Sequence, residues 1–373
     1  MRHLSFLSAV LACLLLAALG ALTVVDILDG PGSDRQEFEA RTPHRPDRVS
    51  QLPRFIADAR YYVGQRYALK EHFVMWRGRM HLALFGHSPH QEVGIGKQGY
   101  LFYQTEAPVA QAQGRARLTE PQRAEWDLVL SETRAEFTAR GMRYRYLVGP
   151  NKHTIYADML PSWIQGSPQA SSQIKGVVEA ARSTFGADYP DARRRLLDIR
   201  KQNPERMIYH RSDTHWSEWA AAIAVQDMMA HMGVVLPDPE YRLETLERSG
   251  DLSRMIGQQR RMTVTGPRLH RRWVCSDETG ETVDIVTIDP LIPSPVFCGS
   301  PTGRPEPLVV FHDSFGVAAI PYLSAHFQNV TFIWTDQADP VRAERYGAKY
   351  VLHIQVERKL MRSEPALMVN TQR

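Results

Sequence analysis

The sequence predicts an α/β fold, a mostly parallel central sheet with helices on both of its faces. Two observations carry this expectation. Between about 119 and 202, and again from 308 to 353, segments with helical periodicity alternate with short apolar runs of strand length. Turn residues such as Gly141 and Gly149-Pro150 close those segments.

The first helix opens on a capping-box pattern, Thr119-Glu120-Pro121-Gln122, and turns Trp126, Val129, Leu130, Thr133 and Phe137 towards a core. Strand 143–148 follows, with Tyr144, Tyr146 and Val148 alternating, then a helix over 171–185 and a strand over 195–199. A helix after Asp213 gathers Trp216, Trp219, Ala220, Ile223 and Met228 on or near one face, and Gly233 and Pro237 end it. From 238 to 304 the rhythm breaks into turn-rich sequence, which reads as an irregular insertion of short strands and loops, an excursion from the core. Alternation resumes with strands 308–311, 330–334 and 349–353 and helices 317–326 and 340–346.

With 373 residues, 43% of them hydrophobic and 23% charged, the chain can build a large core. A net charge of +4 with scattered Lys and Arg gives no case for nucleic acid. Residues 4–25 form an uncharged apolar run between Arg2 and Asp26, long enough to span a bilayer. The expectation is therefore a membrane anchor over 1–25, a Pro- and Gly-rich linker over 26–54 and a folded domain over 55–373, exported to the periplasm of a bacterium. A cleaved signal peptide is the alternative, with Ala18-Leu19-Gly20 as its cleavage site. Cys13 lies inside the apolar run, which leaves Cys275 and Cys298 as the pair available for a disulfide in an oxidising compartment. No metal-binding pattern and no cofactor motif occurs.

Three residues stand out chemically. Ser314 follows the apolar run 308–311 at a tight turn before a helix, the carboxyl edge of the sheet where α/β folds bind ligands. A serine hydroxyl needs a base, and the base needs a carboxylate that holds its tautomer. Asp213 and His215 supply both, two residues apart. Helix capping by Ser314, Asp313 or Asp213 is the competing structural reading. His326 and His353 are weaker choices of base, because they fall inside a predicted helix and in the last strand.

Four ordered motifs, Gly96 to Tyr103, Val148 to Tyr156, Ser212-Asp213-Thr214-His215-Trp216 and Phe311-His312-Asp313-Ser314-Phe315, resemble the alginate O-acetyltransferase AlgJ/AlgX group. The resemblance covers roughly 70–360. It implies a three-layer SGNH-hydrolase-like fold, a catalytic triad of Asp213, His215 and Ser314, and acetyl transfer to an exopolysaccharide through an acetyl-serine. It also implies partners: a polysaccharide acceptor, a multipass membrane O-acyltransferase as acetyl donor, and other exopolysaccharide assembly proteins. Asn151, Lys152 and Tyr322 are candidates for oxyanion or substrate binding, with structural roles as the alternative. His312 departs from the small residue expected before Asp-Ser. A polysaccharide acetylesterase of the same fold and a non-catalytic assembly component remain as other readings.

Overall fold

Residues 70–361 are described by a computed structural model, apart from 165, 168–169, 247–248, 259–261 and 286–293. The anchor expected over 1–25, the linker over 26–54 and the domain start near Phe55 lie outside the described residues. Among the described residues no helix is long and apolar enough to cross a membrane. The chain divides after Phe85. The described part of the first unit is helix α1 (Lys70–Phe85), which exposes Trp76, Met80, Leu84 and Phe85.

The second unit begins with an antiparallel hairpin of β1 (Val93–Ile95) and β2 (Leu101–Tyr103), then α2 (Glu106–Ala112). In α3 (Glu120–Ala139) the Thr119 hydroxyl accepts from Gln122 N and the Gln122 side chain accepts from Thr119 N, so the capping box forms as the sequence pattern predicts. There follow β3 (Arg143–Gly149), α4 (Lys152–Ile155), α5 (Ser172–Phe185), α6 (Ala192–Gln202) and α7 (Glu218–His231). Between 238 and 304 lie β4 (Tyr241–Leu246), α8 (Asp251–Met255), β5 (Met262–Pro267), β6 (Val274–Ser276) and β7 (Val296–Gly299). The chain then runs through β8 (Leu308–His312), a 3-10 turn (Ser314–Ala319), α9 (Ile320–His326), β9 (Val330–Trp334), α10 (Pro340–Arg345), β10 (Tyr350–Val356) and a final 3-10 turn (Glu357–Met361).

The central sheet has the order β3-β10-β8-β9-β7-β6. Strands β3, β10, β8 and β9 are parallel, and β7 and β6 add to them antiparallel. Alternation along β3 shows which helices cover which face. Tyr144 stacks on Phe137 of α3 at 4.7 Å and Tyr146 lies against Trp126 of the same helix, whereas Arg145 reaches the other way to His231 of α7. Helices on both faces explain why β8 and β10 are mostly apolar and buried along their whole length, with His312, His353 and Gln355 as their buried polar positions.

Three expectations need correction. The strand expected at 195–199 is the middle of α6. Asp191 caps that helix by accepting from Arg194 N, and Ala192, Leu196 and Ile199 fall on one buried helical face. Leu197 and Ile199 also alternate, which is the spacing that mimics a strand. The segment 238–304 is only in part an excursion, since β7 pairs with β9 and β6 with β7, joining the central sheet; Cys275 and Cys298 are bonded across directly paired positions there. The helix expected at 317–326 starts earlier, as a 3-10 turn from Ser314.

Phe137 is fully buried in α3 while Leu128 on the same helix is 56% exposed, so the two positions separate burial from helix propensity. Phe137→Ala is expected to cost about 3–5 kcal/mol. Leu128→Ala should stay within about 0.5 kcal/mol, as read by urea denaturation of both variants.

Candidate active site

The sheet delivers the nucleophile candidate through β8. Immediately after it, the Asp313 carboxylate accepts from Phe315 N at 2.9 Å and from Val356 N at 2.9 Å, tying the Ser314 turn to the end of β10. The capping reading therefore holds for Asp313, and the Ser314 side chain is left half-buried with no hydrogen bond among the described residues. His312, unexpected at its position, is fully buried and donates from Nδ1 to the Asp313 carbonyl at 2.7 Å. Gly316 packs against it, where a Cβ would come within 2.3 Å of His312 Cβ, so glycine is required there.

Asp213 and His215 approach from the loop before α7. Ser217, rather than Asp213, caps α7 by accepting from Ala220 N. That leaves the buried Asp213 carboxylate free for the histidine. Its Oδ1 accepts from His215 N at 2.8 Å and faces His215 Nδ1 at 2.8 Å; its Oδ2 accepts from Asp251 N at 2.9 Å. With Nδ1–H committed to the carboxylate, Nε2 is the ring nitrogen able to take up a proton. The His215 ring lies 5.6 Å from the ring of Phe315, and Trp216 Nε1 donates to the Phe315 carbonyl at 2.9 Å. Neighbouring residues on both sides thus join the Asp213-His215 loop to the Ser314 turn.

Burial alone would push Asp213 up, but the hydrogen bond and charge of His215, the charge of His210 and the Asp251 N–H outweigh it. The carboxyl is held well below its usual range. For His215 burial works downwards, and the Asp213 hydrogen bond together with the Asp213 and Asp251 charges reverses the sign, so its pKa is raised. Nearby His210 is pulled down to about 4, chiefly by burial.

The remaining candidates go elsewhere. Lys152 is not free for substrate, because Nζ donates to the carbonyls of Leu101, His210, Arg211 and Asp213 and is almost completely buried. It clamps the backbone of the Asp213 loop from below, although burial pulls its pKa down to about 7. The Asn151 amide donates inward to Gln111 Oε1 at 2.6 Å and its backbone N–H donates to Glu357, which ties it into a buried polar network beside the site. The Tyr322 hydroxyl donates to the Pro237 carbonyl and its ring packs on His326, a structural anchor of α9.

Two residues that sequence reasoning missed stand at the site. Asp251 of α8 reaches within 3.6 Å of His215 Nδ1. Arg358 lies with its guanidinium 5.2 Å above the Phe315 ring and lines a small recess with Thr214, Asn151 and Lys152. Gly250-Asp251 ahead of the helically spaced Leu252 and Ile256 was the available signal for the first; Arg358, past the last strand, carried none.

Asp213, His215 and Asp251 are the group among the described residues whose donor atoms come close enough to hold a metal ion. The carboxylate oxygens, however, already accept from N–H and O–H donors, Thr214 and the backbone among them. Such a donor set is arranged around a proton.

Between about pH 4 and 6.5 the Asp213-His215 pair contributes fully to stability, because Asp213 releases its proton more readily folded than unfolded and His215 binds its proton more readily folded. The Asp213 contribution is lost as pH falls, and that of His215 as pH rises through its raised pKa. The stability gap between wild type and Asp213→Asn, measured by urea unfolding, is expected to be widest near pH 5 and to narrow towards both pH 3 and pH 9. A gap independent of pH would contradict the pairing.

A DHHW family protein from Eubacterium siraeum is 15% identical with a TM-score of 0.49, over 73% of this chain and 92% of that one. The O-acetyltransferase domain of Pseudomonas putida AlgJ is 14% identical with a TM-score of 0.45, over 72% and 92%. Bacillus cereus PatB1 with a sulfonyl adduct is 12% identical with a TM-score of 0.48, over 70% and 93%. None of the curated proteins matches the chain. A family model, the SGNH hydrolase-like domain of acetyltransferase AlgX, matches residues 93–283, which include Asp213, His215 and Asp251 and end before Ser314. Spanning just over half of the sequence, that match means that the chain belongs to the AlgX family of SGNH hydrolase-like O-acetyltransferases.

Proposed function

We propose that this chain moves acetyl groups onto hydroxyls of an exopolysaccharide in the bacterial periplasm, through an acetyl ester on Ser314. The observation that carries this reading is the buried Asp213 carboxylate engaging His215 Nδ1 at 2.8 Å, on a loop packed against the turn that presents Ser314. In the first half-reaction His215 Nε2 takes the Ser314 proton as Oγ attacks the acetyl carbonyl, and the proton then passes to the departing donor group. In the second, a sugar hydroxyl gives its proton to Nε2 and attacks the acetyl-serine, and Ser314 recovers the proton. Asp213 keeps the ring in the required tautomer and stabilises the imidazolium formed in each half-reaction. The N–H of Ser314, first in its 3-10 turn, is among the orphan donors of a helix start and is available to the developing oxyanion.

The apolar run 4–25 supports an anchored, outward-facing enzyme, and a multipass membrane O-acyltransferase is the partner that would bring acetyl groups across the bilayer. Other exopolysaccharide assembly proteins are proposed as its further partners. Alginate, named for the AlgJ/AlgX group, is the first acceptor to try.

The full chain should be incubated with p-nitrophenyl acetate and alginate oligosaccharides, with intact-mass and glycan mass spectrometry as readouts. Wild type is expected to carry one acetyl group on Ser314 and to acetylate the glycan, at a rate that rises with pH through the raised pKa of His215 because the base must be neutral. Ser314→Ala should lose both signals, with at least about a 10³-fold drop in rate. Acetate release without glycan labelling would instead support an acetylesterase, and an unchanged Ser314→Ala would sink the mechanism.

A further inference from the structure

We propose that Asp251 is a positioning residue, which fixes Asp213, Thr214 and His215 as one unit and holds the His215 ring against its carboxylate. The proposal rests on the reading of His215 as the base. Asp251 meets each of the three residues by a different contact. Its backbone N–H donates to Asp213 Oδ2 at 2.9 Å, its Oδ1 accepts from Thr214 N at 2.8 Å, and its Oδ2 accepts from the Thr214 hydroxyl. The same Oδ2 stands 3.6 Å from His215 Nδ1. The Thr214 hydroxyl in turn lies 3.3 Å from that nitrogen. One side chain therefore braces the loop that must keep the imidazole aimed at Ser314.

The approach is built into the backbone around Asp251. A Cβ on Gly250 would lie 2.3 Å from the Ser212 carbonyl, so only glycine lets α8 come this near. Ser253 N then donates to that carbonyl at 3.1 Å and Ser253 Oγ to the Gly250 carbonyl at 2.8 Å. Helix α8 is thus docked on the Asp213 loop by contacts at 212, 213 and 214, and it lies between β4 and β5, which pair with each other outside the central sheet.

Charge adds to geometry. The groups acting on His215 are Asp213 on its own loop, Asp251 on α8, Arg358 after β10 and His210 just ahead of the loop; Lys152 and His210 also act on Asp213. Asp251 opposes Arg358, and its negative charge favours the imidazolium that forms when His215 accepts the serine proton.

The test is done on the full chain in detergent. His215 is titrated by NMR of its Cε1–H, assigned by the loss of the signal in His215→Gln, and kcat and KM are measured alongside. Asp251→Asn keeps an acceptor for Thr214 and the backbone N–H to Asp213 but removes the charge. Its His215 titration should shift to lower pH, and the rising limb of kcat/KM with it. Asp251→Ala should lower kcat about 10- to 100-fold with KM unchanged, since the aim of the base and the charge beside it are lost while no substrate contact is. An unmoved His215 midpoint in Asp251→Asn, or a folded Asp251→Ala with kcat within about twofold of wild type, would overturn the proposal. If Asp251→Ala does not fold, the Asp251→Asn titration alone decides. Undiminished turnover in Ser314→Ala would remove the acetyl-serine reading, while the NMR titration would still judge Asp251.

Discussion

A carboxylate stays ionised inside a protein only where donors replace the water it has lost, and the site depends on how this is met at Asp213. His215 contributes both its backbone N–H and its ring, Asp251 contributes a backbone N–H, and Lys152 holds the carbonyl of Asp213 itself. Each of these donors comes from a different stretch of chain. Satisfying one buried residue therefore joins three elements, the loop before α7 and the inserted helix α8 at its carboxylate and α4 at its main-chain carbonyl. Removing any donor would leave the others around a charge that is less well compensated, so the arrangement is cooperative as well as electrostatic.

The sheet supplies the other half of the geometry. Parallel strands bring their carboxyl ends to one edge, and β8 and β10 lie side by side there. Asp313 exploits this by bonding both the turn after its own strand and the end of its neighbour. The nucleophile candidate is consequently mounted on two strands, and Arg358 follows the second of them within two residues. Aromatic packing completes the join, since Phe315 touches His215, Trp216 and Arg358 at once.

Much of this was legible in the sequence where local chemistry and tertiary environment agree. The capping box at Thr119, the alternating face of β3 and the uninterrupted apolar run of β8 all form as their patterns predict. The nearness of Asp213 and His215 was readable because a two-residue spacing is local. The strand misread at 195–199 fails for the opposite reason: Leu197 and Ile199 fit both periods, and only the Asp191 cap and the buried Leu196 decide for a helix. Lys152, Asn151 and Tyr322 have side chains that bind ligands in many proteins, and nothing local reveals that their polar atoms go to carbonyls and amides far along the chain. Asp251 was missed for the same physical reason, since its partners lie 37 and 38 residues away.

The close seat of Gly250 and Asp251 on the Asp213 loop also has a consequence for descent. A loop gripped at successive positions by one glycine-aspartate pair cannot drift alone: a larger residue at 250 shuts out the helix, and a changed residue at 251 releases the threonine. In any set of true relatives, positions 212–215 and 250–251 should be kept or lost together, even where the sequence between them varies freely in length. Inheritance of that pair would then mark which lineages retained the same histidine geometry and which abandoned it.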